Sequence, residues 1–176
     1  MIIVLEGCDC VGKTTFAEML ADKTGFEVVK GSSFEISELG ADGMFKHMIE
    51  LLDRENIIID RFFYSNLVYG KLFNYPMMSP EQYDLLVEKL DKTALVIYLH
   101  AQSGVITHRM LNRGDDMVGI RHIDSILEEY IKVFYGNFRP KQKLVLDTQY
   151  SDFNIATAMV KEFIEQDSTK SYIKTV

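Results

Sequence analysis

Between a first apolar run and a first amphipathic stretch lies Gly7-Cys8-Asp9-Cys10-Val11-Gly12-Lys13-Thr14, a full match to the pattern G-x-x-x-x-G-K-S/T. Glycines let the main-chain amides of such a loop close around a phosphate. A helix opening at Lys13 aims the positive end of its dipole at the same anion. The Lys13 ammonium can then reach the β- and γ-phosphates of ATP, and the Thr14 hydroxyl can ligate Mg2+. The cradle predicted here is formed by Gly7, Cys8, Asp9, Cys10, Val11, Gly12, Lys13, Thr14 and Thr15. The pattern needs a strand before it and a helix after it, and the sequence supplies both.

Other charged groups stand at intervals suited to the same chemistry. A third apolar run ends in Asp60-Arg61-Phe62, followed by Ser65 and Tyr69; Arg109 and Arg113 lie four apart, on one helix face. Phosphoryl transfer spreads negative charge over oxygens and is catalysed mainly by positioning and by cations, here Lys13, Mg2+ and convergent arginines. The plainer alternatives are an ordinary solvated helix face for the arginine pair and a helix-capping acid for Asp60, with Arg61 its surface partner.

The elements that must position these groups alternate. Strands are predicted at 1–6, 26–29, 57–60, 94–99 and 143–146. Helices are predicted at 13–23, 44–52, 65–73, 80–90, 103–111, 121–135 and 153–164. Ser79 is placed to cap the helix that Pro80 opens, and Gly25 to end the first helix. Residues 31–43 read as irregular and the tail from Asp167 as loose. Short strands apolar on both faces, separated by helices, imply a single three-layer α/β domain over 1–176 around a five-stranded parallel sheet. Its ligands collect beyond the C-terminal strand edge.

The string Glu6-Gly7-Cys8-Asp9-Cys10-Val11-Gly12-Lys13-Thr14-Thr15 resembles the opening of thymidylate kinases and their relatives. Asp60-Arg61-Phe62 with Ser65 and Tyr69 is similar to that family's D-R-aromatic segment, and Arg109 with Arg113-Gly114-Asp115-Asp116 to its arginine-bearing lid, about 109–121. The resemblance implies a P-loop kinase fold and ATP-dependent phosphorylation of a deoxynucleoside monophosphate, dTMP above all. It places Asp9 near the deoxyribose 3′-hydroxyl, Arg61 on the acceptor phosphate, Asp60 near Mg2+, and Arg109 and Arg113 over the transferring phosphoryl. One departure is plain. Where the family carries R-E-P-G-G after strand 2, this chain has Val29-Lys30-Gly31-Ser32-Ser33-Phe34-Glu35. Lys30 could substitute as a point charge, and Phe34 could stack on a base or simply pack. A deoxynucleoside kinase with Glu35 or Asp60 as base for a 5′-hydroxyl is the alternative enzyme, since a neutral acceptor benefits from a base. A non-catalytic NTP-binding module is the other.

With 176 residues, 47% of them hydrophobic and 26% charged, the chain has ordinary globular usage, which excludes wholesale disorder. A formal net charge of −7 argues against coating nucleic acid, so action on polynucleotide ends or modified bases is disfavoured and the expected partner is a small-molecule nucleotide. The apolar start lacks a basic region and no run reaches the ~18 residues a membrane span needs, so no membrane partner and a cytoplasmic location are expected. A stripe such as 153–164 could face a second copy in a homodimer. Cys8 and Cys10 are too close in sequence for an unstrained bridge. They are expected as free thiols whose pKa the loop amides lower, so that oxidation would block nucleotide binding. His47, His100, His108 and His122 and the scattered methionines read as structural or surface residues.

Overall fold

The computed structural model describes residues 1–114 and 119–173, with side chains described as far as residue 166. Five strands, β1 (Ile2–Glu6), β2 (Glu27–Lys30), β3 (Ile57–Asp60), β4 (Ala94–His100) and β5 (Lys143–Asp147), form one sheet in the order β2-β3-β1-β4-β5. Every pairing is parallel, which is the predicted architecture. β1 lies at the centre and is buried along its whole length, as its unbroken Ile-Ile-Val-Leu run demands. The register sets Leu5 beside Asp60 and beside Ile97, so the residues following β1, β3 and β4 emerge together at one edge.

The helices are α1 (Lys13–Thr24), α2 (Phe34–Ser37), α3 (Gly40–Leu51), α4 (Phe63–Phe73), α5 (Pro80–Thr93), α6 (Ser103–Arg113), α7 (Ile123–Tyr135) and α8 (Phe153–Ile173). α1 packs against α8 and α4 against α7, and one continuous apolar core joins them to the sheet. Gly25 ends α1 in the left-handed conformation, as predicted. No helix among the described residues is long and apolar enough to cross a membrane.

One predicted segment is corrected. Residues 31–43 are not irregular: Ser33 accepts a hydrogen bond from the Ile36 amide and opens α2, and α3 begins at Gly40. The glycines and Asp42 lower local helix propensity, but burial of Met44, Met48 and Leu51 on one face overrides it. α8 runs from Phe153 to Ile173, with no glycine or proline inside it to stop it. Asp115, Asp116 and the neighbouring part of the expected lid lie outside the described residues.

Gly31, directly after β2, has a specific duty. A Cβ there would sit 2.4 Å from both the Arg61 carbonyl oxygen and Ile59 Cγ2, so only glycine lets this loop lie against the end of β3.

α5 is capped as its sequence indicates. Ser79 Oγ accepts from the Gln82 amide at 3.3 Å, while Gln82 Oε1 accepts from the Ser79 amide at 2.9 Å. Ser79→Ala is expected to cost about 1 kcal/mol and lower Tm by about 2–4 °C, without touching nucleotide binding. Thermal melts followed by circular dichroism check this, and an unchanged Tm would remove the cap from the account of α5.

Candidate active site

The loop leaving β1 turns sharply because its backbone must. Gly7 has φ 143°, and a Cβ there would lie 2.2 Å from the Leu99 carbonyl oxygen of β4. Gly12 has φ 93° and precedes the first residue of α1. Lys13 is buried and donates to the Cys8 carbonyl at 2.6 Å. Burial, with Arg61 nearby, presses its pKa down to about 8. A bound polyphosphate would favour the charged form, as any adjacent anion does.

One cavity of about 400 Å3 collects most of the residues marked out in the sequence. Asp9, Cys10, Gly12, Lys13, Thr14 and Thr15 line it from the loop side, Asp60 and Arg61 from the end of β3, and Arg109 and Arg113 from α6. Asp60 Oδ1 is buried with no hydrogen-bond partner. A carboxylate oxygen left so is costly unless a cation or a proton meets it. With Thr14 in the same cavity it fits a Mg2+ ion held jointly with substrate phosphates, the usual manner for that ion.

Arg109 differs from the expected closing arginine. Its Nη1 donates to Thr148 Oγ1 at 2.9 Å and to the Cys10 carbonyl at 3.3 Å, and its Nη2 donates to the Thr148 carbonyl at 3.1 Å. Those three bonds tie α6 to the phosphate loop and to the turn after β5. Arg113, one turn later, lines the same cavity.

A second cavity, of about 140 Å3, lies on the other side of Asp9 and Arg61, the two residues that line both. Its walls come from Ser32, Ser33, Phe34 and Ser37 around α2, from Ser65, Asn66 and Tyr69 on α4, and from Tyr75. Phe34 is 56% exposed and meets Tyr75 edge to face at 6.5 Å between ring centres. Tyr69 donates to Asp9 Oδ2 at 3.0 Å.

Arg61 is the hinge between the two cavities. Its φ of 61° is rare for a side chain of this size, and the Arg61 amide is fixed by donation to the Leu5 carbonyl at 2.9 Å. Nη2 donates to Asp9 Oδ1 at 2.5 Å. Nη1 donates to the Gly7 carbonyl at 3.1 Å, Ser65 Oγ at 3.3 Å and the Tyr130 hydroxyl at 3.4 Å. The guanidinium also lies over the Tyr69 ring, 5.3 Å from its centre. Burial alone would raise the Asp9 pKa, but the Arg61 and Lys13 charges and the hydrogen bonds from Tyr69 and Arg61 outweigh it, leaving the carboxyl below its usual range.

Sequence reasoning missed two members of this group. Glu6 enters the sequence reading only as the first residue of the string Glu6–Thr15, with no role assigned. It is wholly buried and accepts from the Phe62 amide at 2.7 Å, the Ser65 amide at 3.1 Å and Ser65 Oγ at 2.6 Å. It therefore caps α4 from another strand, where Phe62 at the N-cap offers no side-chain acceptor. An acid in an otherwise apolar strand was the available signal. Tyr130, inside the helix predicted at 121–135 and given no role there, brings its hydroxyl to Ser65 Oγ at 2.8 Å and the Gly7 carbonyl at 3.1 Å. Nothing in a helical periodicity distinguishes it from a core tyrosine.

Other expectations fall outside both cavities. Lys30 is exposed and lines neither. Glu35 is exposed on α2, its carboxyl lowered by a hydrogen bond with Ser33, and also lines neither. Cys8 reverses the expected thiol chemistry. It is buried, and desolvation pushes its pKa up to about 12. Cys8 and Cys10 are free thiols.

Burial raises the Glu6 pKa from 4.5 to about 7, against the opposing pull of Ser65, Arg61 and the Phe62 amide. A carboxyl raised on folding stabilises the fold in full below its unfolded pKa and loses that contribution as pH climbs through the folded value. The stability of the native protein relative to Glu6→Gln is therefore expected to fall from about pH 5 to about pH 8. Urea unfolding of both proteins across that range measures it; a constant difference would overturn the assignment.

Comparisons with known proteins bear on what this site belongs to. No family model matches the chain. The SPbeta prophage-derived protein YorR of Bacillus subtilis strain 168 is 44% identical over 133 residues, covering 75% of this chain and 81% of YorR. The crystal structure of YorR in complex with phosphorylated GDP superposes with a TM-score of 0.87 at 36% identity, over 96% of this chain and 98% of that one. Deoxyguanosine kinase of the same Bacillus strain is 24% identical, covering 73% of this chain and 75% of the relative. Deoxyadenosine kinase from M. mycoides with bound dCTP shares the fold at a TM-score of 0.60 and 20% identity, over 94% of this chain and the whole of the other. None of these relatives is named as a thymidylate kinase, so they do not specifically support the narrower likeness of the motifs. The identity to YorR, with a fold shared over nearly the whole of both chains, establishes the assignment: the chain belongs to the YorR family, with a P-loop set on a five-stranded parallel sheet.

Proposed function

We propose that the protein is an ATP-dependent phosphotransferase that moves the γ-phosphoryl group onto a deoxynucleoside monophosphate, dTMP being the favoured acceptor. The observation carrying this reading is the shared wall. Asp9 and Arg61 line both the large cationic cavity and the smaller aromatic-rimmed one, so a donor in the first and an acceptor in the second would meet at one guanidinium. Lys13, with the loop amides, would hold the donor phosphates, and Arg109 and Arg113 would flank them. Thr14 and Asp60 would hold Mg2+, which supplies charge neutralisation at the transferring phosphoryl when bound. The Arg61 Nη2 now given to Asp9 would pass to the acceptor phosphate, releasing Asp9 toward the acceptor sugar. A cavity of about 140 Å3 rimmed by Phe34 and Tyr75 suits one small base more readily than an extended ligand.

A second reading, phosphorylation of a nucleoside 5′-hydroxyl, is favoured by one specific observation. Arg61 is the sole cation among the described residues lining the acceptor cavity, and Asp9 already neutralises it. Asp60, with its unpartnered oxygen, would then serve as base. The deoxyguanosine and deoxyadenosine kinases among the relatives keep purine nucleosides in the same test.

Lys13→Ala and Arg61→Ala are each expected to lower turnover on the order of 10²–10³-fold with the fold intact by circular dichroism. Nucleosides and monophosphates offered with ATP and Mg2+, with products resolved by chromatography, decide between the readings. Diphosphate formed from dTMP supports the first. Monophosphate formed from nucleosides alone moves the assignment to the second. ATP binding without transfer to any acceptor would leave a nucleotide-binding module.

A further inference from the structure

The two ends of the Arg61 guanidinium are held differently. Nη2 faces Asp9, the group an acceptor would displace, whereas Nη1 is gripped by atoms belonging to the frame of the protein: the Gly7 carbonyl, Ser65 Oγ and the Tyr130 hydroxyl. We propose that Tyr130 is a positioning residue, fixing the Nη1 end of Arg61 against the phosphate loop so that Nη2 can exchange Asp9 for the acceptor without the guanidinium swinging away. This rests on the function proposed above for the shared wall.

The geometry of Tyr130 suits that duty. Its side chain is fully buried on α7, and its ring is stacked on Tyr98 at 5.5 Å between centres, so the hydroxyl has little freedom to drift. That oxygen stands 2.8 Å from Ser65 Oγ, 3.1 Å from the Gly7 carbonyl and 3.5 Å from Glu6 Oε2. A phenol has one proton to donate and keeps lone pairs to accept. Ser65 spends its own proton on Glu6 at 2.6 Å, so Tyr130 donates toward Gly7 or Ser65 and accepts from Arg61. Glu6, Ser65 and Tyr130 thus form a chain that ends on the guanidinium, with its elements contributed by β1, α4 and α7. Because α6 packs against α7, the helix that bears Arg109 and Arg113 is also in mechanical contact with the anchor of Arg61.

Tyr130→Phe tests the proposal, since it keeps the ring on Tyr98 and removes only the hydroxyl. With the wild-type acceptor, kcat is expected to fall roughly 10- to 100-fold while the KM for ATP stays within about twofold, the loss expected when a charged group forfeits a buried partner. Tyr98→Phe, which removes a hydroxyl outside this chain of bonds, is expected to leave both parameters unchanged. A readout independent of turnover comes from the Arg61 Nε–Hε resonance, assigned by its disappearance in Arg61→Ala. It should be sharp in the native protein and broadened in Tyr130→Phe. An unaltered resonance, or equal falls in Tyr130→Phe and Tyr98→Phe, overturns the positioning role. A native protein inactive on every nucleoside and monophosphate, with the resonance still broadened in Tyr130→Phe, would overturn the proposed function while leaving the anchor standing.

Discussion

The contact between the Arg61 guanidinium and Asp9 is the constraint around which the rest of this site is arranged. Two cations, Lys13 and Arg61, and three carboxylates, Glu6, Asp9 and Asp60, stand within the ends of two adjacent strands, most of them removed from solvent. Charges can be kept there only if each is met by a partner or by several donors. Arg61 answers Asp9, Lys13 finds a carbonyl, and Glu6 is satisfied by the first turn of α4. Asp60 alone retains an oxygen without a partner, which is why it is the group best suited to receive something from outside.

The backbone is bent to make this arrangement reachable. Arg61 takes a left-handed conformation, held there by the hydrogen bond from its amide to the Leu5 carbonyl, with Gly31 of the neighbouring strand end close against it. Glu6 then does two things at once, ending the helix dipole of α4 and holding Ser65 beside the guanidinium. A carboxylate at a helix N-terminus is ordinarily supplied by the helix itself; here the central strand supplies it.

Much of this could be read from the chain. The phosphate loop announced its neighbours because its pattern has only one structural context, and β3 was legible because Ile57-Ile58-Ile59 must be buried on both faces. Lys13, Thr14, Asp60, Arg61, Arg109 and Arg113 do share one cavity. What was not legible depends on three-dimensional proximity alone. Lys30 and Phe34 are four apart in sequence, yet one is exposed outside the cavities and the other forms a rim, because α2 begins between them. The hold on Arg109 by Thr148, 39 residues away, has no trace in the local sequence. The cysteines misled for a related reason. Loop amides do favour a thiolate, but burial of Cys8 is the larger effect.

The two cavities are made of unequal material. Strand ends and a glycine-framed loop form the larger, and a Cβ at Gly7 would collide with the Leu99 carbonyl oxygen of β4. The smaller takes its outer wall from a single helical turn, α2, and from the connection joining α4 to α5, where Ser32, Ser33, Ser37 and Tyr75 contact little of the core. The lining of the smaller cavity can therefore be redrawn by exchanging a few rim side chains, while the strand ends and the loop that frame the larger one stay fixed.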